Sequence, residues 1–323
     1  MDSRKNKDYQ KQKENNHLQD KTCGRRQFLK SAASVAALGS AAMVSGCGTS
    51  LLGSKEELAL RWQEYFKRHY RVMTQEEKDE TVRRLERLAK LKKGADIKMS
   101  TRMPIEGVLY GYAFNVTRCE GFMECVTACV KENNLDRKSH TQYVRIFEME
   151  HGQMNPELGK GKFFHQVPVE DHFYMGVQCF QCANAPCVKA CPTKATWQEP
   201  DGIVVVDYDW CIGCRYCMAA CPYWGRRFNW NDPQVSVKEM TKKQHYLGNR
   251  MRRKGQVEKC TFCVQRNREG RLPACVEACP TGSRVFGNLL DPKSEIRFVL
   301  KEKKVFRLKE ELGTDPKFWY FID

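Results

Sequence analysis

Short apolar segments are interrupted by polar ones along most of the chain, and this pattern predicts short strands separated by loops. Leu109 to Val116 and Ile203 to Val206 read as strands, and each leads towards a cysteine-rich loop. Tyr143 to Met149 and Phe163 to Val169 read as a hairpin, joined by the polar, glycine-rich segment from His151 to Lys162. Since strand, loop and helix signals follow one another, we expect an α+β fold.

Residues 47–100 carry helix signals instead. Two pairs of residues have the spacing of capping boxes, and each is followed by apolar residues near helical spacing: Ser54 with Glu57, and Thr74 with Glu77. Gly94 is expected to end the second helix. This helical arm is a solvated helix pair or a clamp on a partner subunit, and its charged face favours neither interpretation.

The N-terminus has the order of an export signal. Residues 1–30 are polar and basic and contain Arg25 and Arg26, after which Ser31 to Ser45 is small and weakly apolar. That order predicts a twin-arginine signal peptide over residues 1–46, and an ordinary amphipathic helix is the alternative. We therefore expect export by the twin-arginine route, to the periplasm or the outer face of the cytoplasmic membrane.

Cys47 ends a segment, Val44 to Cys47, that resembles a lipobox. Acylation of Cys47 would attach the mature protein to a membrane surface. The alternative is simple cleavage in this small-residue stretch, with Cys47 spare or removed.

Cysteine content decides the class of protein. The 323 residues include 17 cysteines, and the net charge is +16 at pH 7. Such a charge by itself suggests nucleic acid or anionic lipid as a partner. A thiolate-bound iron-sulfur cluster carries roughly two to three negative charges, however, so several clusters would compensate much of this excess. No nucleic-acid partner is expected.

All cysteines except Cys23 and Cys47 fall into four groups with metal-ligand spacing. They are numbered I to IV in chain order. The third group, Cys211 to Cys221, has the bacterial ferredoxin spacing C-x2-C-x2-C-x3-C-P, in which the last cysteine binds a neighbouring cluster. Groups II and IV widen the middle gap but keep the final C-x3-C-P. In chain order, the groups are group I (Cys119, Cys125, Cys129), group II (Cys179, Cys182, Cys187, Cys191), group III (Cys211, Cys214, Cys217, Cys221) and group IV (Cys260, Cys263, Cys275, Cys279).

Group I lacks one thiol, because Phe122 stands where the spacing calls for the second ligand. Structural zinc and disulfides are the alternative uses of these cysteines. Iron-sulfur clusters are favoured, since zinc sites do not need the C-x3-C-P ending and closely spaced C-x2-C pairs make poor disulfide frameworks.

With these motifs the chain resembles the four-cluster ferredoxin-like subunits of respiratory oxidoreductases, as in dimethyl sulfoxide, polysulfide and formate-dependent nitrite reductase systems. The resemblance covers about residues 105–290. Within that family, the twin-arginine signal and the segment Phe228 to Pro233 look most like the ferredoxin subunit of the sulfite-reduction-associated membrane complex.

The resemblance implies which thiols share a cluster. It implies three [4Fe-4S] clusters and one three-cysteine cluster, which is expected to be [3Fe-4S] because Phe122 cannot hold the fourth iron. The four ligand sets are set A (Cys119, Cys125, Cys279), set B (Cys260, Cys263, Cys275, with Cys129), set C (Cys179, Cys182, Cys187, with Cys221) and set D (Cys211, Cys214, Cys217, with Cys191).

The same resemblance implies two bacterial-ferredoxin-like halves related by a pseudo-dyad, with the second half inserted in the first. The first half combines residues 101–176 and 245–290 and holds groups I and IV. The second half, residues 177–244, holds groups II and III. Residues 291–323 are basic, then aromatic, and we expect them to form a docking tail.

Other side chains near the groups have weaker signals. Four histidines between groups I and II are candidate additional ligands, although surface or strand-facing positions are favoured for them: His140, His151, His165 and His172. Four aromatic residues flank group III and are expected to shield the clusters from water: Trp210, Tyr216, Trp224 and Phe228.

The leading functional hypothesis is an electron-transfer subunit without catalytic residues. It would relay electrons between an integral-membrane, quinone-interacting subunit and a second redox partner, which is soluble or of cytochrome or molybdopterin type. In the family arrangement the half with groups I and IV lies away from the membrane. The competing hypothesis is a self-contained oxidoreductase acting at the open cluster corner near Phe122, where the phenyl ring offers no acid, base or polar anchor.

Overall fold

Short helices and strands alternate along the chain. The structure is a computed structural model and describes residues 73–153 and 155–323. The predicted signal peptide, Cys47 and the first predicted helix of the arm lie outside these residues. The described α-helices are α1 (Gln75–Lys93), α2 (Glu124–Glu132), α3 (Pro186–Lys189), α4 (Tyr216–Ala219), α5 (Val264–Asn267), α6 (Ala274–Glu277) and α7 (Glu295–Glu302), with a 3-10 turn at Glu310–Leu312. The described strands are β1 (Lys98–Ser100), β2 (Tyr110–Asn115), β3 (Arg145–Glu150), β4 (His172–Val177), β5 (Thr196–Gln198), β6 (Val204–Val206), β7 (Arg226–Phe228), β8 (Lys243–His245), β9 (Val257–Lys259), β10 (Arg284–Asn288), β11 (Lys304–Phe306) and β12 (Phe318–Ile322).

The helix α1 is the second helix predicted for the arm, and its ends are confirmed. The Thr74 hydroxyl accepts a hydrogen bond from the Glu77 amide, and the Glu77 carboxylate accepts one from the Thr74 amide at 2.8 Å. Gly94 ends the helix in the left-handed conformation, which glycine adopts without steric cost. Among the helices of the described ranges, none combines the length and apolar character needed to cross a bilayer.

A four-stranded sheet in the order β10-β2-β12-β11 forms the centre of the fold. The strand predicted at Leu109 to Val116 is confirmed as β2, in which all six residues are buried. It lies antiparallel to β10 and parallel to β12, so segments distant in the sequence share this sheet.

The C-terminal aromatic segment lies in this sheet, and this corrects the expectation that its rings are available for docking. Phe318 and Tyr320 are fully buried, and Phe321 is buried as well. The Phe318 ring stacks on Phe180 at a centroid distance of 4.7 Å and on Tyr112 at 5.1 Å. Burying one such ring stabilises a protein by roughly 1.5–3 kcal/mol, which favours the core over the surface.

The hairpin predicted after α2 is correct in its first strand and wrong in its second. β3 pairs antiparallel with β4, with Arg145 opposite Val177 and Glu150 opposite His172. The predicted partner, Phe163 to Val169, forms no strand. β4 supplies a continuous buried run from Tyr174 to Val177, and this burial decides the pairing.

Two small antiparallel strand pairs, β5 with β6 and β7 with β9, lie between groups II, III and IV in the chain. β6 corresponds to the strand predicted at Ile203 to Val206. The short helices that carry cysteines pack in pairs: α2 of group I against α6 of group IV, and α3 of group II against α4 of group III. The fold thus brings group I to group IV and group II to group III.

Candidate metal centres

All fifteen cysteines of the four groups are free thiols in the structure, so the disulfide alternative is wrong for them. Seven of them are half-buried. The other eight are buried: Cys125, Cys129, Cys182, Cys187, Cys217, Cys260, Cys263 and Cys275. Throughout the described ranges, no three cysteine, histidine or carboxylate side chains converge closely enough to hold one metal ion. In a four-iron cluster each thiolate binds a different iron at a separate corner, so its ligands surround a cluster rather than one ion.

The loop of group III is shaped by two residues with positive φ. Gly213 has φ +74°, and a Cβ there would lie 2.2 Å from the Gly255 carbonyl oxygen, so only glycine fits. Arg215, at φ +66°, is the N-cap residue that precedes α4. This conformation turns the chain tightly enough for the cysteines of one loop to face a common centre.

The loop of group I has the same backbone pattern, with Gly121 at φ +81° and Met123 at φ +67°. A Cβ at Gly121 would lie 2.6 Å from ring carbons of Tyr174. Phe122 therefore occupies the backbone position that Cys214 occupies in group III. The Phe122 side chain is 41% exposed, so the ring is not enclosed by the core.

The three thiols of set A interact with one another. Burial raises the pKa of Cys119 to about 11, against the lowering effect of the Gly121 amide, and the charges of Cys125 and Cys279 raise it further. Since Cys279 is 160 residues from Cys119 in the chain, the tertiary structure brings these two thiols near each other.

Thiols of sets B, C and D also meet across distant segments. Burial raises the pKa of Cys129 well above its ordinary value, and the three group IV thiols of set B raise it further. Burial likewise raises the pKa of Cys182 to about 12, with added effects of the other three thiols of set C. Burial raises the pKa of Cys211, and Cys191 and Cys214 of set D add to that effect.

Thiols of consecutive sets lie close enough to influence one another electrostatically. The pKa of Cys129 is raised first by burial, then by the thiols of its own set, and also by Cys125 of set A. Burial raises the pKa of Cys260 of set B, and the next largest contribution comes from the charge of Cys179 of set C. The pKa of Cys217 of set D is raised to about 11, mainly by burial, and Cys187 of set C contributes. The sets therefore follow one another in the order A, B, C, D.

Hydrogen bonds to sulfur surround the thiols. Backbone amides donate at 3.4 Å to three of them: Gly225 to Cys221, Val257 to Cys211, and Phe262 to Cys260. The Asn133 side-chain amide donates to Cys129 at 3.5 Å and to Cys263 at 3.8 Å. Such hydrogen bonds orient metal-bound sulfur and help set the reduction potential of a cluster.

Buried cations beside the thiols were not predicted from the sequence. Arg226 donates to Cys187 Sγ at 3.1 Å, and Arg284 donates to Cys125 Sγ at 3.3 Å. Arg226 Nε and Nη1 and Lys317 Nζ are buried without a hydrogen-bond partner. Thiol clusters beside uncompensated buried cations fit an anionic cofactor, so these residues fit iron-sulfur clusters. One sequence signal pointed to the arginines, because each follows the last cysteine of its group by five positions.

Two of the four candidate histidines contact a buried carboxylate. His165 Nε2 lies 2.5 Å and His172 Nε2 3.8 Å from the Glu148 carboxylate, whose side chain is 2% exposed. His151 packs near Phe173. His140 adopts φ +50° in an exposed loop.

The aromatic residues near group III are more exposed than expected of a shield. Tyr216 is 64% exposed, so most of its ring faces solvent, and the shielding role expected for it is wrong. Trp210 and Trp224 are about 40% exposed, and Phe228 packs partly buried against the main core. The Arg215 guanidinium lies over the Phe228 ring at 5.4 Å.

Comparison with known proteins gives a consistent result. A family described as a 4Fe-4S dicluster domain matches twice, over residues 170–248 and 235–289. The chain is 39% identical to an Hdr-like menaquinol oxidoreductase iron-sulfur subunit 1 from Archaeoglobus fulgidus, over 65% of this chain and 82% of the relative. It is 33% identical to a selenate reductase subunit from Mesobacillus selenatarsenatis, over 93% of this chain and 97% of the relative. It is 36% identical to the iron-sulfur cluster-binding subunit of menaquinone reductase from Nitratidesulfovibrio vulgaris, over 66% of this chain and 88% of the relative.

Proposed function

Because the chain belongs to the family of 4Fe-4S ferredoxin-like iron-sulfur subunits of respiratory oxidoreductases, we propose that it relays electrons between a quinone-interacting membrane subunit and a second redox partner. Relatives named as menaquinol oxidoreductase and menaquinone reductase subunits support this proposal. Iron-sulfur clusters supply one-electron chemistry when bound.

The observation that carries the proposal is the spatial order of sets A, B, C and D. Arg284 and the Tyr112 hydroxyl connect Cys125 of set A to Cys275 of set B, and Gln181, next to Cys182 of set C, donates to the Cys260 carbonyl of set B at 2.7 Å. The helices α3 and α4, which carry Cys187 of set C and Cys217 of set D, pack together. Clusters held by these sets would therefore form a continuous row through the protein. A row of neighbouring redox centres suits electron passage from one end of a subunit to the other. The surrounding chain supplies buried positions, sulfur hydrogen bonds and positive charge.

The proposal assigns three [4Fe-4S] clusters to sets B, C and D and a [3Fe-4S] cluster to set A. The matching backbone conformation of the group I and group III loops supports the last assignment, because it puts Phe122 in the place of a ligand. Zinc is disfavoured by the match to a 4Fe-4S family. Set A lies at one end of the row and is assigned to the end that faces the second redox partner.

The proposal also includes two halves related by a pseudo-dyad, with residues 177–244 inserted in the first half. The helix pairs α2 with α6 and α3 with α4 support this division, since each pair joins the two groups expected in one half. The arginines after groups III and IV support it too, because each donates to the third ligand position of the partner group, Cys187 in group II and Cys125 in group I.

Export by the twin-arginine route and a position at the outer face of the cytoplasmic membrane belong to the same proposal. Export is inferred from Arg25 and Arg26, and membrane attachment from the lipobox that ends at Cys47. These residues lie outside the described ranges. A membrane position would bring the relay to a quinone-interacting partner, while acylation of Cys47 would add affinity for the membrane itself.

An interrupted relay tests this function. In membranes that contain the whole complex, a menaquinol analogue should reduce all four clusters, as followed by electron paramagnetic resonance. Cys182→Ser breaks set C in the middle of the row, so the clusters beyond it should stay oxidised with quinol yet be reduced by dithionite. Thr127→Ser, which places a serine at an exposed position outside every set, serves as the control.

Two results would overturn the proposal. One is full reduction of the remaining clusters by quinol in Cys182→Ser membranes at the rate of the unaltered protein. The other is turnover of a sulfur, nitrogen or carbon compound by the purified chain alone, which would favour the self-contained enzyme near Phe122.

A further inference from the structure

Three of the buried cations lie between consecutive cysteine sets: Arg284, Lys259 and Arg226 are 4%, 1% and 3% exposed. Their contacts are thiols, hydroxyls and carbonyl groups. In the part of the chain that the structure describes, none of the three forms an ion pair with a carboxylate. A buried cation without a counterion is costly, so each position needs a compensating negative charge.

Arg284 lies between sets A and B. Its Nη2 donates to Cys125 of set A at 3.3 Å, and its Nη1 donates to the Tyr112 hydroxyl at 3.1 Å. That hydroxyl lies 3.3 Å from the Sγ of Cys275, which belongs to set B. One guanidinium thus reaches both sets through direct contacts and a single bridging hydroxyl.

Lys259 lies between sets B and C, where the two predicted halves meet. Its ammonium donates to the carbonyl oxygen of Cys260, a set B residue, at 2.6 Å. It also donates to Gln181 Oε1 at 3.3 Å and to the carbonyl of Val204. Gln181 directly precedes Cys182 of set C. Three acceptors without net charge hold this ammonium, so its positive charge stays available to the neighbouring clusters.

Arg226 lies between sets C and D. Its Nη2 donates to Cys187 of set C at 3.1 Å and to the Thr196 hydroxyl at 2.9 Å. Arg226 lies on β7, and β7 packs against α4, which carries Cys217 of set D. Every step of the row A, B, C, D therefore has one buried cation beside it.

We propose that Arg284, Lys259 and Arg226 are positioning residues for electron transfer, each sharing its positive charge between two consecutive clusters and keeping both reduction potentials high. An electron that enters a cluster adds negative charge, and a fixed cation beside it stabilises that reduced state. A charge placed between two clusters acts on both, so it supports neighbouring potentials together instead of trapping the electron at one of them.

This inference rests on the proposed assignment of clusters to sets A, B, C and D. The two are separable by experiment. Iron content and spectra of the unaltered protein test the assignment, whereas the potentials of charge variants test the role of the cations.

The test is a redox titration of the purified, cluster-loaded full chain, followed by electron paramagnetic resonance. Arg284→Gln should lower the midpoint potentials at sets A and B and leave set D unchanged. Lys259→Met should lower those at sets B and C. Arg226→Gln should lower those at sets C and D and leave set A unchanged. Arg253→Gln is the matched control, because it removes one charge from a side chain that is 62% exposed, and it should move none of them.

Variants that keep the charge protect the test against loss of clusters. Arg284→Lys, Lys259→Arg and Arg226→Lys should hold the potentials near those of the unaltered protein. The proposal is overturned if a neutral variant with full iron content keeps its potentials, or if it shifts one cluster alone or all four equally. If a neutral variant loses iron, the matching charge-keeping variant is used instead. The proposal is then overturned if that variant shifts the potentials of the two clusters next to the replaced cation.

Discussion

Arg226 and Lys259 lie directly opposite each other in the antiparallel pair of β7 and β9, and both side chains are buried. Directly opposed like charges destabilise a strand pair, and burial makes their repulsion stronger. Arg226 reaches towards Cys187, while Lys259 is held by carbonyl oxygens. This pairing is therefore expected to depend on the negative charge of nearby clusters.

Removing the cluster iron should weaken this strand pair specifically. Chelation under anaerobic conditions is expected to reduce amide hydrogen-exchange protection in β7 and β9, by on the order of 1 kcal/mol more than in β3 and β4. In the Lys259→Met variant the difference between the two strand pairs should shrink. Equal loss of protection in both pairs, with or without Lys259, would contradict the expectation.

Phe122→Cys should convert the cluster of set A. The new thiolate restores the missing ligand, so the variant should gain about one iron per chain and lose the three-iron signal of the oxidised protein. Iron analysis and electron paramagnetic resonance measure both changes. Phe122→Ser, which adds no thiolate, should keep the three-iron signal. The assignment fails if the unaltered oxidised protein is silent and Phe122→Cys leaves the iron content unchanged.

Replacing Arg25 and Arg26 together by lysine should block export, because the twin-arginine receptor reads the paired guanidinium groups. Cell fractionation should then find the protein in the cytoplasm. The adjacent pair Arg83 and Arg84, exposed on α1, provides the matched control, and its double lysine variant should be exported normally. Normal extracytoplasmic accumulation of the Arg25 and Arg26 variant would refute the signal.

Cys47→Ala should shift the mature protein towards the soluble fraction in cells that lack the partner subunits, since acyl chains would supply the membrane affinity. Mass spectrometry of the N-terminal peptide should show the lipid mass in the unaltered protein only. Cys23→Ala, ahead of the lipobox, should leave the membrane fraction as it was. An unchanged distribution of the Cys47 variant would count against acylation.

Acid should loosen the contact between β1 and β8 through His245. Burial lowers the pKa of His245 to about 4 from 6.5, while the Arg102 carbonyl opposes this shift and the Arg268 charge adds to it. Because the folded state then binds fewer protons, the stabilising contribution is complete above pH 6.5 and is lost as pH falls towards about 4. Full loss corresponds to roughly 3 kcal/mol.

Hydrogen exchange of the β1 and β8 amides between about pH 7 and pH 4.5, corrected for intrinsic rates, measures this effect. Protection should fall with pH in the unaltered protein. His245→Gln stays neutral and can still donate to the Arg102 carbonyl and accept from the Leu247 amide, so its protection should be flat. Parallel pH profiles for the two proteins would exclude His245 as the titrating group.

Local features were readable from the sequence because their partners lie a few residues apart. The capping box of Thr74 and Glu77, the stop at Gly94 and the strand β2 are all present as predicted. The spacing within each cysteine group is local in the same sense. Phe122 stood out for that reason, as a break in a short repeat.

Tertiary packing decided what depends on distant residues. The sequence pattern favoured Phe163 to Val169 as the partner of β3, but β4 pairs with it because β4 supplies a continuous buried run. The aromatic C-terminus reads as an exposed tail until β2 and Phe180 are placed beside Phe318. Arg226 and Lys259 look like two ordinary surface charges in the sequence. Their burial between cysteine sets follows only from strand pairing and long-range contacts, because the environment of a charge is set by whatever segments fold around it.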